Sequence, residues 1–134
     1  AFPYVIGAMA SNYDQHRACF SNRGDVAAPG GDGDRPVSDR GDVTCQPPWE
    51  ACDRQGQCDR YSLLGPVWPN GYEAWVGTSF SAPLVSGLAA LVLEEGGGSL
   101  SSEDVSIAIM TPAAVPPGSD LPTGIISVTG SLQP

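Results

Sequence analysis

The sequence contains no lysine, a single histidine and no long apolar run. All six basic residues are arginine, against fifteen acids. The resulting net charge of −9 at pH 7 argues against a nucleic-acid binder, whose phosphates would be repelled. It favours solubility and carries no information about fold. A bilayer-spanning helix needs roughly 20 apolar residues, and no such run exists. No stretch reads as a secretory signal. The chain begins at Ala1 and not at Met, which reads as a processing site or a cut end. Its 134 residues suffice for one modest domain with a core. With 17 Gly and 13 Pro the composition is loop-rich without being low-complexity.

Four cysteines are present: Cys19, Cys45, Cys52 and Cys58. The last three crowd into one short interval, and their spacing is unlike the paired C-x2-C of zinc ribbons. With only His16 as a possible imidazole ligand, zinc is the weaker reading. Disulfides formed in an oxidising compartment are the stronger one, which predicts a secreted, extracellular protein.

The stretch from Gly77 to Glu94 organises the rest. It reads as a loop that becomes a helix. Gly77 permits a sharp bend, and Pro83 reads as an early helical residue, where a missing N–H costs little. Leu84, Val85, Leu88, Ala89, Leu91, Val92 and Leu93 follow, apolar on almost every side, which predicts a buried core helix. Ser79 lies at its mouth. Free N–H groups and the positive end of the helix dipole would there stabilise an oxyanion. A loop serine that merely caps a core helix is the plainer alternative.

Gly77-Thr78-Ser79 followed by Ala82-Pro83, Gly87 and Leu88-Ala89-Ala90-Leu91 resembles the nucleophile segment of subtilisin-like serine proteases. Ser79 falls on the catalytic serine of that pattern. Leu84 departs from it, since the family often has a non-catalytic histidine there. The opening of the chain resembles the same family. Pro3-Tyr4-Val5-Ile6, Arg17-Ala18-Cys19-Phe20-Ser21 and Asp25-Val26-Ala27-Ala28-Pro29-Gly30 match its motifs in order. The resemblance implies an α/β fold: the C-terminal part of a subtilisin-like three-layer structure, with a parallel sheet and helices on both faces. It implies a polypeptide substrate.

In chain order, residues 2–10 read as a buried strand, 11–15 as a polar turn, and 25–30 as a second strand closed by Pro-Gly. Residues 31–70 are polar and irregular, and read as a loop insertion pinned by disulfides. Tyr72 to Val76 reads as an extended approach to Ser79. Gly96-Gly97-Gly98 ends the core helix. Ser101 and Asp104 resemble a capping box for a second helix from Ser102 to Met110, which Pro112 stops. Gly124 to Val128 reads as a final strand.

A serine hydroxyl needs a base to remove its proton, normally a histidine oriented by a carboxylate. In the resembling family both precede the serine by more residues than this chain holds, and a side-chain oxyanion donor also lies upstream of Pro3. Domains of that family are about twice this length. The expectation is therefore the C-terminal portion of one catalytic domain over residues 1–134, with the N-terminal portion absent and needed as a partner. His16 reads as a solvated turn residue and not as the base.

The acids Asp32, Asp34, Asp39 and Asp42 fit no EF-hand spacing. A solvated acidic loop is the plain reading, with structural calcium as the alternative; the chemistry itself requires no cofactor. Arg-Gly-Asp occurs at 23–25, where the resemblance explains it by the strand that starts at Asp25 and it is expected to be part-buried, and at 40–42, within the insertion. These signals lead to a subtilisin-type serine endopeptidase acting through an acyl-enzyme on Ser79, incomplete and inactive as this chain. The alternative is a non-catalytic, secreted, protease-like binding or adhesive module.

The cysteine reading predicts two disulfides, each contributing about 2–4 kcal/mol by restricting the unfolded chain. Thiol counting on denatured, unreduced, secreted material should find no free thiol; four free thiols would refute the reading.

Overall fold

The computed structural model describes residues 5–31 and 62–132. Two strands, β1 (Ala8–Ser11) and β2 (Val26–Pro29), run parallel and in register from Ala8 opposite Val26 to Ser11 opposite Pro29. A hairpin follows, made of β3 (Leu63–Val67) and β4 (Gly71–Trp75). Helices α1 (Thr78–Glu95) and α2 (Ser102–Met110) come next, then a single turn of helix, α3 (Val128–Ser131).

The strand residues divide between two faces, as a two-residue period requires. Val26 and Ala28 pack with Val85 of α1, whereas Met9 and Ala27 pack on the opposite face with Leu121 and Ile125. Both faces are therefore covered, and neither strand carries a polar solvent face. Among the described residues the helices lie on one face only. The loop around Leu121 covers the other, where the resemblance led us to expect a further helical layer. A second core cluster joins Leu88 and Val92 of α1 to Val105 and Ile109 of α2.

The expected final strand over 124–128 is reduced to two isolated bridges at Ile125, one parallel to Ala27 and one antiparallel to Ala114. Ala27 N–H donates to the Gly124 carbonyl (2.9 Å), and Ile126 N–H donates to the Ala27 carbonyl (2.9 Å). The chain then turns into α3, because the Ser127 side chain accepts the Gly130 N–H at 3.1 Å and caps the new turn.

The insertion expected over 31–70 also needs correcting at its end. Residues 63–70 form β3 and the hairpin turn, which the run of Pro and Gly in an otherwise polar stretch obscured. Residues 32–61, with Cys45, Cys52, Cys58 and the acids proposed for calcium, lie outside the described residues. Cys19 is half-buried and is not a free thiol.

The C-terminal end of α1 agrees with the sequence reading. Gly97 and Gly98 take positive φ values of 65° and 74°, and the Gly98 N–H returns to the Leu93 carbonyl at 2.7 Å. Such a wrap satisfies carbonyls at the helix end and favours glycine. The burial of α1 differs from expectation. Ser81, Val85, Leu88 and Val92 are buried, but Leu84, Leu91 and Leu93 are 44%, 45% and 37% exposed. One side of the helix has a sheet and α2 against it, and among the described residues these leucines have no such cover.

The capping box of α2 is present. Ser101 Oγ accepts the Asp104 N–H (3.2 Å), and Asp104 Oδ2 accepts the Ser101 N–H (3.0 Å). The Ser101 hydroxyl, and then its N–H, hold the Asp104 carboxyl below its ordinary value. A lowered carboxyl stabilises the fold above the ordinary carboxylate range and loses that contribution as pH falls through the lowered value. The window lies below about pH 4. Urea unfolding should therefore show an acid limb there that Ser101→Ala flattens. Ile109→Ala, at a fully buried position, should cost about 2–5 kcal/mol.

Candidate functional site

Ser79 is the second residue of α1, and its side chain is exposed. Its position follows from how the first turn of α1 meets the carboxyl end of β2. Gly77 N–H donates to the Gly30 carbonyl at 2.8 Å, and Gly30 N–H donates to the Ser11 carbonyl at 3.0 Å. The Ser81 hydroxyl donates to the carbonyls of Ala28 (3.0 Å) and Pro29 (3.2 Å). Phe80 N–H closes onto the Gly77 carbonyl at 3.0 Å. The turn bearing Ser79 is thus tied to the end of β2, which is itself tied to β1.

Two glycines make this approach possible. Gly77 has φ 152°, a conformation that side chains strain against, although there is room for a Cβ. At Gly30 the limit is space. A Cβ there would sit 2.5 Å from both the Ala10 Cβ and the Ser81 Oγ. No side chain caps α1, and its first turn holds no acid. The N–H groups of Thr78 and Ser79 have no partner within the helix, and no first-turn carboxylate competes for them. The Phe80 ring packs on Trp75 with centroids 5.9 Å apart, joining the hairpin to the same turn.

Pro83 is the sixth residue of α1 and not the first. At that depth its N–H would have bonded the Ser79 carbonyl four residues back, so its absence removes a helical bond from the turn that carries Ser79.

The ring of His16 is engaged with a carboxylate. Its Nδ1 lies 3.3 Å from Asp120 Oδ1, and its backbone N–H donates to Asn12 Oδ1 at 2.9 Å. Asp120 Oδ1 also accepts the Arg17 N–H at 2.8 Å. Partial burial pushes the Asp120 carboxyl up, but the Arg17 N–H and the His16 ring outweigh it and hold the carboxyl below its ordinary value. The pair clamps the 12–17 turn to the loop before Leu121. Asp120 gave no signal in the sequence, since a lone acid in a loop resembles any other.

The first Arg-Gly-Asp copy is more open than expected, with Arg23 and Asp25 exposed. Asp25 Oδ2 nevertheless accepts the Gly7 N–H at 2.8 Å, so its carboxylate serves the strand. The second copy lies outside the described residues. Two clefts flank the sheet. One of about 300 Å³ opens beside Ser11, Pro29 and Leu63, and one of about 510 Å³ runs between Val5, α1 and α2. Ser79, which is exposed, is among the described lining residues of neither. Among the described residues no cluster of His, Cys, Asp or Glu could hold a metal, and no helix is long and apolar enough to cross a membrane.

An exposed serine therefore stands on an uncapped helix turn, with a glycine bend before it and a parallel sheet behind it, at the position the sequence motif marked. The model of the subtilase family matches residues 1–125, and the chain belongs to that family. Solved structures with the same fold include a protease of Pseudoalteromonas arctica PAMC 21717, 19% identical with a TM-score of 0.64. That likeness covers 97% of this chain and 35% of the other. The self-cleaved protease domain of PatA is 24% identical (TM-score 0.61), covering 97% of this chain and 41% of that one. The patellamide maturation protease PatA is 23% identical (TM-score 0.60), covering 97% and 42%. The chain thus spans between 35% and 42% of the length of these structures. No curated protein matches it.

The two kinds of glycine are separable by mutation. Gly77→Ala should lower stability by about 1–3 kcal/mol through backbone strain. Gly87→Ala, inside α1 with open space around it, should raise stability by about 0.5–1 kcal/mol. Urea denaturation of both variants checks the contrast; equal effects would remove the argument for strain at Gly77.

Proposed function

We propose that this chain is the serine-bearing portion of a subtilisin-type endopeptidase domain, in which Ser79 attacks a peptide carbonyl and forms an acyl-enzyme. The observation that carries this reading is the exposed position of Ser79 on the first turn of α1, braced against β2. The backbone N–H of Ser79 is one donor for the oxyanion. The base and its orienting acid come from sequence outside these 134 residues. Two facts support this: the ring of His16 is engaged with Asp120, and the chain spans less than half of the structures it resembles. The substrate is a polypeptide.

The complementary portion of the domain is the required partner. The exposed leucines of α1 and the cleft between Val5, α1 and α2 support such a partner, since they are apolar surface without cover. The same reading includes secretion and two disulfides, with Cys19 taking one of the three cysteines of the 32–61 segment. Alone, the chain is inert, because among the described residues no base is paired with the Ser79 hydroxyl.

Fluorophosphonate labelling with mass mapping of the modified residue tests both halves. The assembled domain should label at Ser79, and Ser79→Ala should abolish label and proteolysis together. The 134-residue chain alone should stay unlabelled. Rapid, specific labelling of that chain would overturn the claim of inertness and return His16 to candidacy as the base.

A further inference from the structure

Serines inside helices commonly turn their hydroxyl back on their own helix. Ser86 donates to the Ala82 carbonyl (3.0 Å) and Ser106 to the Ser102 carbonyl (2.8 Å), each four residues back and each exposed. Ser81 does otherwise. Its side chain is fully buried, and its hydroxyl reaches the carbonyls of Ala28 and Pro29, 53 and 52 residues away along the chain. One hydroxyl proton is shared between two acceptors at the last residues of β2.

We propose that Ser81 is a positioning residue, whose bond to the end of β2 fixes the direction in which the first turn of α1 presents Ser79. The proposal rests on Ser79 being the nucleophile. Successive helix residues are turned by about 100°, so residues two apart point to nearly opposite sides of the axis. Ser81 accordingly faces the sheet while Ser79 faces solvent. Any rotation of the turn about its axis moves both.

The turn needs an external brace. Pro83 supplies no N–H to the Ser79 carbonyl, and Gly77 makes no side-chain cap. Among the described residues the hydrogen bonds that tie this turn to the sheet are Gly77 N–H to the Gly30 carbonyl and the Ser81 hydroxyl to β2, beside the packing of Phe80 on Trp75. The fit is close. A Cβ on Gly30 would stand 2.5 Å from the Ser81 oxygen, so the hydroxyl occupies space that glycine leaves open. A misplacement of about 1 Å at a reacting group costs on the order of 10²-fold in rate, so a loosened turn acts on chemistry before it acts on binding.

The experiment compares Ser81→Ala and Ser81→Cys with the unaltered protein in the assembled protease. Ser81→Cys keeps the side-chain size and weakens the donor. Both variants should lower kcat and the rate of fluorophosphonate labelling about tenfold, with KM within about twofold. Amide hydrogen exchange should quicken at Phe80 and stay unchanged at Leu88 and Val92. A fall in thermal stability with kcat unchanged, or exchange raised equally along all of α1, would overturn the proposal. So would normal turnover by Ser81→Cys, which would assign the effect to volume. Absence of labelling in the unaltered protein would overturn the nucleophile reading. Exchange at Phe80 would then decide separately whether Ser81 holds the turn.

Discussion

The bond between the first turn of α1 and the carboxyl end of β2 governs the rest of the architecture. A helix following a hairpin has many ways to leave it. Here Gly77, Ser81 and Gly30 leave one, by joining the helix N-terminus to the strand ends at 2.8 to 3.2 Å. Once that end is fixed, Val85 must fall on Val26 and Ala28, and Leu88 and Val92 must fall where α2 can cover them. The packing of the interior and the presentation of Ser79 follow from the same contact. A protein that needs an exposed nucleophile on a rigid base gains both from it, because the helix dipole and the sheet support converge at one place.

Much of this was legible in the residues, for physical reasons. Helix α2 could be bounded because its capping box and its terminating proline are local devices that act within four residues. The end of α1 could be read because three successive glycines permit a backbone that few other residues adopt. The location of Ser79 at a helix mouth followed from the change from small polar residues to continuous apolar ones. The pattern Gly-Thr-Ser with Ala-Pro beyond it added the family.

What escaped sequence reading depends on distant partners. Ser81 has no local signature, and its role appears only when β2 is beside it. Asp120 has no local signature, and its meaning comes from His16 and Arg17, about a hundred residues earlier. The strand expected at 124–128 was lost to Ser127, whose capping bond competes with sheet pairing. The hairpin arm β3 was hidden because Pro66 and Gly65 are poor strand formers; Gly65 is tolerated where it leaves room for the ring of Trp75. The all-round burial of α1 was inferred from its composition, yet composition states only how much apolar surface exists, not what lies against it.

The uncovered leucines of α1 bear on how copies of this chain behave toward one another. Apolar surface of that kind attracts a second copy at contact range, whereas the net charge of −9 repels it across the solvent. Colloidal stability is then a balance set by ionisation. Near the sequence pI of about 4.1 the repulsion vanishes while the leucines remain. Added salt acts in the same direction at neutral pH by shortening the reach of the charge to about 10 Å at 0.1 M. Handling at neutral pH and low ionic strength keeps the molecules apart.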